Sequence, residues 1–189
     1  MKFGLIAGNG DFPFLVVEGA RNVISGNMVG IQVGTNFSSS PVGSLIQGNI
    51  IGLNALGTGP LPNTQQGIAI AGGVNSVIGG TQAEAGNQIA FNGGPGIAVT
   101  SGTGNSIRGN SIFSNNGLGV DLGTSGVTAN DGADPDTGPN NLQNFMVITS
   151  VISSANSMTI QGSLKSLPNT AFQIDFYSNA AVDPSGNGE

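Results

Sequence analysis

The sequence predicts an all-β fold: a right-handed parallel β-helix solenoid with a short N-terminal strand/helix cap and a partial C-terminal antiparallel β module. Three observations carry this expectation. The chain superposes on itself at an offset of 23 residues, Gly and Asn supply most of its polar content, and its apolar pieces are too short for helices.

The offset is clearest between Asn87-Gln-Ile-Ala-Phe-Asn-Gly-Gly-Pro-Gly-Ile-Ala-Val99 and Asn110-Ser-Ile-Phe-Ser-Asn-Asn-Gly-Leu-Gly-Val-Asp-Leu122, which align without a gap. Asn87 meets Asn110, Ile89 meets Ile112, Asn92 meets Asn115 and Ile97 meets Val120. Asn22-Val-Ile-Ser-Gly-Asn-Met-Val-Gly-Ile-Gln-Val33 fits the same template one residue shorter, and shorter copies of Asn-x-(Ile/Val) start at Asn49, Asn75 and Asn105. The Gly-Asn pair recurs at Gly26-Asn27, Gly48-Asn49 and Gly109-Asn110, which aligns Asn27 with Asn49 at a spacing of 22. Self-similarity at such a period marks a stacked-repeat architecture.

The strand-like pieces within each unit are Val23-Ile24, Gly30–Val33, Leu45-Ile46, Ile50-Ile51 and Ile68–Ile70, separated by Gly or Asn corners. A chain that rises one strand spacing per turn places equivalent residues about 4.8 Å apart. Ile then stacks on Ile inside, and the corner residues Asn27, Asn49, Asn87, Asn92, Asn110 and Asn115 stack as amide ladders. Residues 22–125 hold about four and a half such repeats. Two excursions, Thr35–Gly43 and Asn54–Gln66, read as loops projecting from one face, where solenoids accept insertions.

Composition agrees. The 189 residues include 33 Gly and 22 Asn, the types that most readily adopt positive φ. Charged residues make up only 7% and aromatic residues only 5%, so the core is a thin one of Ile, Val and Leu. A net charge of −6 with four basic residues, Lys2, Arg21, Arg108 and Lys165, argues against a nucleic-acid partner. The absence of Cys and His removes thiolate chemistry, the usual general base and the commonest metal ligand. No apolar run is long enough for a membrane span. Phe3–Ala7 is interrupted too early, at Gly8-Asn9-Gly10-Asp11, for a signal peptide.

The phrases Asn22-Val-Ile-Ser-Gly-Asn27, Gly48-Asn-Ile-Ile-Gly-Leu-Asn-Ala-Leu-Gly57, Asn75-Ser-Val-Ile-Gly-Gly-Thr81, Asn110-Ser-Ile-Phe-Ser-Asn-Asn116 and Gly117-Leu-Gly-Val-Asp-Leu-Gly123 carry a resemblance. Residues 19–189 resemble the bacterial parallel β-helix repeat proteins of the pectate-lyase-like superfamily. That resemblance implies an extracellular or cell-surface protein, with surface glycans or other proteins as partners. The superfamily's lyases use Ca²⁺-binding carboxylates with an Arg or Lys base, and its hydrolases a cluster of Asp with His and Arg. Between Asn22 and Val120 the only ionised groups are Glu84 and Arg108, which cannot form either constellation. No catalytic residue is therefore expected in the repeats.

Residues 126–144 form a linker rich in Asp, Asn, Gly and Pro. Asp131, Asp134 and Asp136, with Asn130 and Asn140, offer hard oxygen ligands on a kinked loop, which suits Ca²⁺. The spacing does not match an EF-hand, and a solvated loop of Asx-turns explains the same residues without a metal. Residues 145–189 alternate apolar and polar side chains over Val147–Ile152, Ser157–Leu164 and Thr170–Tyr177, as antiparallel strands with one wet face do. The third strand is expected to leave an open edge that invites self-association, and the module to stop short of its remaining strands.

Residues 1–21 differ in style. Phe3-Gly-Leu-Ile-Ala-Gly-Asn-Gly-Asp-Phe-Pro13 reads as a strand, a glycine turn and a helix capped by Asp11. It is similar to the N-terminus of the UDP-diacylglucosamine pyrophosphatases of lipid A biosynthesis, which implies that Gly8, Asn9 and Gly10 are the remnant of a phosphate loop. The chain thus reads as a chimera joined between Gly19 and Asn22. Phe12, Leu15 and Val16 are expected to lay a short helix over the first repeat as a cap. The leading functional expectation is a noncatalytic structural or adhesive module. A fragment of a polysaccharide lyase or hydrolase, and a nucleotide-sugar pyrophosphatase, are the alternatives.

Overall fold

The computed structural model describes residues 21–34 and 40–179. The N-terminal cap with Gly8, Asn9 and Gly10, residues 35–39 of the first excursion and residues 180–189 lie outside the described residues.

The described chain is all-β, with parallel sheets. Eleven short strands come first: β1 Val23–Ile24, β2 Ile31–Val33, β3 Leu45–Ile46, β4 Ile50–Ile51, β5 Ile68–Ala71, β6 Val77–Gly79, β7 Gln88–Ala90, β8 Ile97–Ser101, β9 Ser106–Arg108, β10 Ser111–Phe113 and β11 Val120–Leu122. A tight turn at Pro139–Leu142 and a hairpin of β12 Val147–Ser153 with β13 Met158–Ser163 follow. The first sheet has the order β1-β4-β7-β10, the second β2-β5-β8-β11 and the third β3-β6-β9. Every pairing within these three sheets is parallel. Successive strands therefore visit the three sheets in rotation, and each strand pairs with the equivalent strand of the next round.

The register explains the isoleucine pattern. In the first sheet Ile24, Ile51, Ile89 and Ile112 stand side by side, and in the third Ile46, Ile78 and Ile107 do. Ile31, Ile68, Ile97 and Val120 line up in the second, as do Val33, Ile70, Val99 and Leu122. Nearly all of these aliphatics meet in one narrow core, the exception being Val120, which stays exposed at the end of its row. β-Branched side chains, stiff at χ1, suit such columns because each rotamer repeats that of its neighbour.

Glycine ends the strands where the next round passes close by. Gly52 and Gly79 hold φ +81° and +82° directly at the ends of β4 and β6. A Cβ on Gly52 would collide with the Ala90 carbonyl oxygen, and one on Gly79 with that of Arg108. No other residue satisfies both the backbone angle and the close approach.

Three expectations need correcting. The excursion Asn54–Gln66 does not project. It folds back through a Leu53–Pro60 bridge and a Leu61 N–H to Gly52 C=O bond of 2.9 Å. A second apolar cluster of Ile50, Leu53 and Ala90 forms there, against Phe91 and Phe113, whose rings meet edge to face at 5.9 Å. Ile50 is in register with Gln88 and beside the inward Ile51, so this cluster sits on the outer face of the first sheet. Burying Leu53 and Ile50 there favours a loop that lies down.

The repeat is also less regular than a 22–23-residue period implies. A further insertion, Gly80–Gly86, separates β6 from β7. Insertions consume chain, so the strands complete three rounds and two-thirds of a fourth rather than four and a half. Finally, the C-terminal module is a two-stranded hairpin, and Thr170–Tyr177 is not a strand. Neither face of the hairpin is dry: Val147, Ile148, Val151 and Ile152 are 47%, 51%, 55% and 61% exposed. A lone hairpin has nothing to pack against, and alternation by itself does not create a core.

The contrast between columns and hairpin is measurable. Ile89→Ala, at a fully buried column position, is expected to cost about 3–4 kcal/mol in chemical denaturation. Ile152→Ala on the hairpin is expected to stay within about 0.5 kcal/mol.

Candidate functional site

The polar side chains with the most developed geometry are the corner asparagines, and they form three columns. At the corner entering the first sheet, Asn22, Asn49, Asn87 and Asn110 follow one another at sequence separations of 27, 38 and 23. At the corner between the first and second sheets the series is Asn27, Asn63, Asn92 and Asn115, separated by 36, 29 and 23. At the third corner Ser76 and Asn105 are followed by Asn140.

The amides of Asn63, Asn87 and Asn92 use their full capacity. Asn87 Oδ1 accepts the backbone N–H of Asn49 at 3.0 Å and its Nδ2 at 2.9 Å. Asn87 Nδ2 donates to Ile46 C=O at 2.9 Å and to Asn110 Oδ1 at 2.8 Å. Two lone pairs and two N–H groups are thereby all engaged. Asn63 and Asn92 repeat the pattern, each with one Nδ2 bond to a backbone carbonyl and one to the next asparagine. These residues are almost fully buried, Asn63 at 0% and Asn87 and Asn92 at 1% exposure.

All six expected ladder residues thus lie in columns, but in two different ones. Asn49, Asn87 and Asn110 share one corner, and Asn27, Asn92 and Asn115 another. The alignment of Asn27 with Asn49 is corrected: Asn49 follows Asn22, and Asn27 is followed by Asn63. Asn22, Asn63, Asn105 and Asn140 complete the columns and were absent from the expected set. Asn22 and Asn105 open visible Asn-x-Ile phrases, whereas Asn63 and Asn140 lie in a loop and in the linker and leave no periodic signal.

The acidic loop brings Asp131, Asp134 and Asp136 together, one carboxylate oxygen of each lying within 4.8 Å of the others. Asn130 and Asn140, expected to add oxygens, are used elsewhere. Asn130 Oδ1 accepts the Phe145 N–H at 2.9 Å, and Asn140 Oδ1 accepts from Asn105. Two of the three carboxylates already have donors. Asp134 accepts from the Asn144 N–H at 3.2 Å, from Gln143 Nε2 at 2.9 Å and from Ser166 Oγ. Asp131 Oδ1 accepts the Asp134 N–H at 3.1 Å and Asn144 Nδ2 at 3.3 Å. The loop is a hydrogen-bonded staple between the linker and Ser166, and it offers a hard cation three carboxylates of the six to eight oxygens that Ca²⁺ takes.

Two charged strand residues remain. Arg108 at the end of β9 pairs with Asp175 through Nε at 2.8 Å and Nη2 at 2.5 Å, and also donates to Gln173 Oε1. The guanidinium holds the Asp175 carboxyl below its ordinary range, and Asp175 raises Arg108 in turn. Asp121 in β11 is buried, its Oδ1 unbonded and its Oδ2 accepting the Gly126 N–H at 3.3 Å. Burial pushes its carboxyl up, against the weaker opposing effect of that N–H. Two open recesses also lie on the surface. Asn130, Asp131 and Lys165 help line one of about 510 Å³; Arg21, Gln82 and Glu84 help line another of about 560 Å³.

Compared with protein-family models, curated proteins and solved structures, the chain finds no match.

Replacing Asn87 by Asp sets carboxylate oxygens against the Ile46 carbonyl and Asn110 Oδ1, so a loss of about 3 kcal/mol or more is expected at pH 7. Asn22→Ala, at an exposed column end, should lose less than about 1 kcal/mol. Since the folded pKa of Asp121 lies above its ordinary 3.8, the stability linked to its protonated form is full below that value. It is lost as pH rises through the folded pKa. Asp121→Asn should therefore be more stable than the parent at pH 7, the gain vanishing near pH 3. For the acidic loop, a filled cation site predicts a higher melting temperature with added Ca²⁺, reversed by EGTA. No shift at millimolar Ca²⁺ ends the metal assignment.

Proposed function

We propose that the three parallel sheets close around the isoleucine columns as a right-handed parallel β-helix solenoid. The solenoid is a noncatalytic structural or adhesive module of a secreted or cell-surface bacterial protein. The observation that carries this reading is the rotation of successive strands through three sheets, with an amide column at each corner. A chain built this way is a stiff rod whose outward positions are free to vary without touching the core. The surface placement rests on the likeness of the repeat phrases to the pectate-lyase-like superfamily.

The chemistry on the rod supports binding over turnover. From residue 22 to residue 122 the ionisable side chains are Glu84, Arg108 and Asp121. Arg108 is engaged by Asp175, and Asp121 is buried in its strand. General acid–base cleavage of a glycan needs two groups poised on one exposed site. The outer surface instead offers amide and hydroxyl groups, such as Gln88 and Ser111 beside the Gly80–Gly86 turn, which hydrogen-bond to sugars or to peptide.

A glycan array paired with a reducing-sugar assay on the bound polysaccharides tests the proposal. Retention of one or more glycans with no release of reducing ends is expected, and their release would establish an enzyme instead.

A further inference from the structure

The described residues contain two Asn-Gly pairs, Asn92-Gly93 and Asn116-Gly117, and the fold treats them in opposite ways. Asn92 belongs to the second asparagine column and is 1% exposed. Its Oδ1 accepts from the Asn63 N–H and Nδ2, and its Nδ2 donates to the Ala90 carbonyl and to Asn115 Oδ1. The Gly93 N–H donates to the Asn63 carbonyl at 2.9 Å. Both the side-chain amide and the backbone nitrogen after it are therefore engaged.

One round on, Asn115 takes the column position and Asn116 is the next residue along the chain. Asn116 is tied down through its backbone, its N–H donating to the Asn92 carbonyl at 3.0 Å. Its side chain is exposed. Neither that side chain nor the Gly117 N–H has a hydrogen bond among the described residues. Glycine after Asn116 is a packing requirement, because a Cβ there would stand 2.7 Å from the Pro95 nitrogen and 2.9 Å from its Cδ. An unhindered backbone nitrogen thus follows an unrestrained carboxamide, and an asparagine side chain turns readily toward its own backbone.

We propose that Asn116 is a site of spontaneous covalent modification, converting to aspartate and isoaspartate in the folded protein while the column protects Asn92. The Gly117 nitrogen gives its proton to hydroxide and attacks Asn116 Cγ. The new N–C bond closes a succinimide ring, and the side-chain nitrogen leaves as ammonia. Water then opens the ring. Opening at Cγ leaves an aspartate on a normal backbone; opening at the α-carbonyl leaves an isoaspartate, whose backbone runs through Cβ and is one carbon longer. In sum an amide and a water give a carboxylate and ammonium, with nothing oxidised or reduced. Either product adds a negative charge to a chain that already carries −6. The isoaspartate also lengthens the chain between Asn115 and β11, whose register with β8 is set residue by residue.

The test uses the full chain, incubated at mildly alkaline pH either folded or in concentrated urea. Peptide mass spectrometry follows each Asn-Gly pair, and enzymatic isoaspartyl methylation reads the longer product. In the folded chain Asn116 should convert at least about tenfold faster than Asn92, which reacts only through local opening. In urea the two should convert at similar rates, because the difference belongs to the fold. The Asn116 rate should rise with pH, since the attacking nitrogen must lose its proton. Asn116→Gln, which would have to close a larger ring, should abolish the folded-state conversion of that peptide. If Asn92 keeps pace with Asn116 in the folded chain, the column gives no protection and the proposal fails. It fails equally if Asn116 reacts in urea but not in the folded chain. Conversion that persists in Asn116→Gln would move the site to another residue of the peptide and overturn the assignment.

Discussion

The repeats depend on one constraint: a buried corner must leave no amide or carbonyl unpaired. A chain that turns sharply every few residues exposes backbone groups at each corner that no sheet ladder reaches, and burying them unmet is costly. Asparagine meets the need because one short side chain carries two donors and two acceptor lone pairs. Asn87 spends them on a backbone N–H, a carbonyl and two neighbouring amides. Remove that capacity and the buried backbone groups of the corner lose their partners.

The same constraint explains what the repeats tolerate. Between columns the chain is free to lengthen, and the separations of 27, 38 and 23 along one column show how freely. What must return is the asparagine itself, since each strand pairs with its equivalent at a fixed register. The loop after β4 folds back beside Leu53, which joins Ile50 and Ala90 in an apolar layer on the outer face of the first sheet.

Much of the repeat could be read from residues, and the failures have physical causes. Val23-Ile24, Leu45-Ile46 and Ile50-Ile51 are strands with the expected boundaries, because short β-branched runs between Gly and Asn leave little else to form. The pairing of Asn27 with Asn49 failed because two corners lie only five residues apart, as Asn22 and Asn27 do, and a Gly-Asn phrase precedes either one. Asn54 stands five residues after Asn49, yet its Oδ1 accepts the Leu56 and Thr58 N–H groups in a local turn. Asn63 takes the rung, since an asparagine bonds its own loop as readily as a neighbouring round. Thr170–Tyr177 alternates as a strand would, but alternation records two unlike faces, and here the polar face meets Arg108 rather than a sheet. The acidic cluster was legible as a loop, while the diversion of Asn130 and Asn140 was not, because their partners lie 15 and 35 residues away.

The columns also have a direction. In both asparagine columns the Nδ2 of each member donates to the Oδ1 of the member that follows it in sequence, and Asn105 does the same toward Asn140. Chains of hydrogen bonds aligned one way polarise each other. The columns therefore carry parallel lines of amide dipoles, as an α-helix does along its axis, with every amide oxygen toward the first strands and every amide nitrogen toward the last. Their two ends are electrically unlike even though almost no charged residue lies between them.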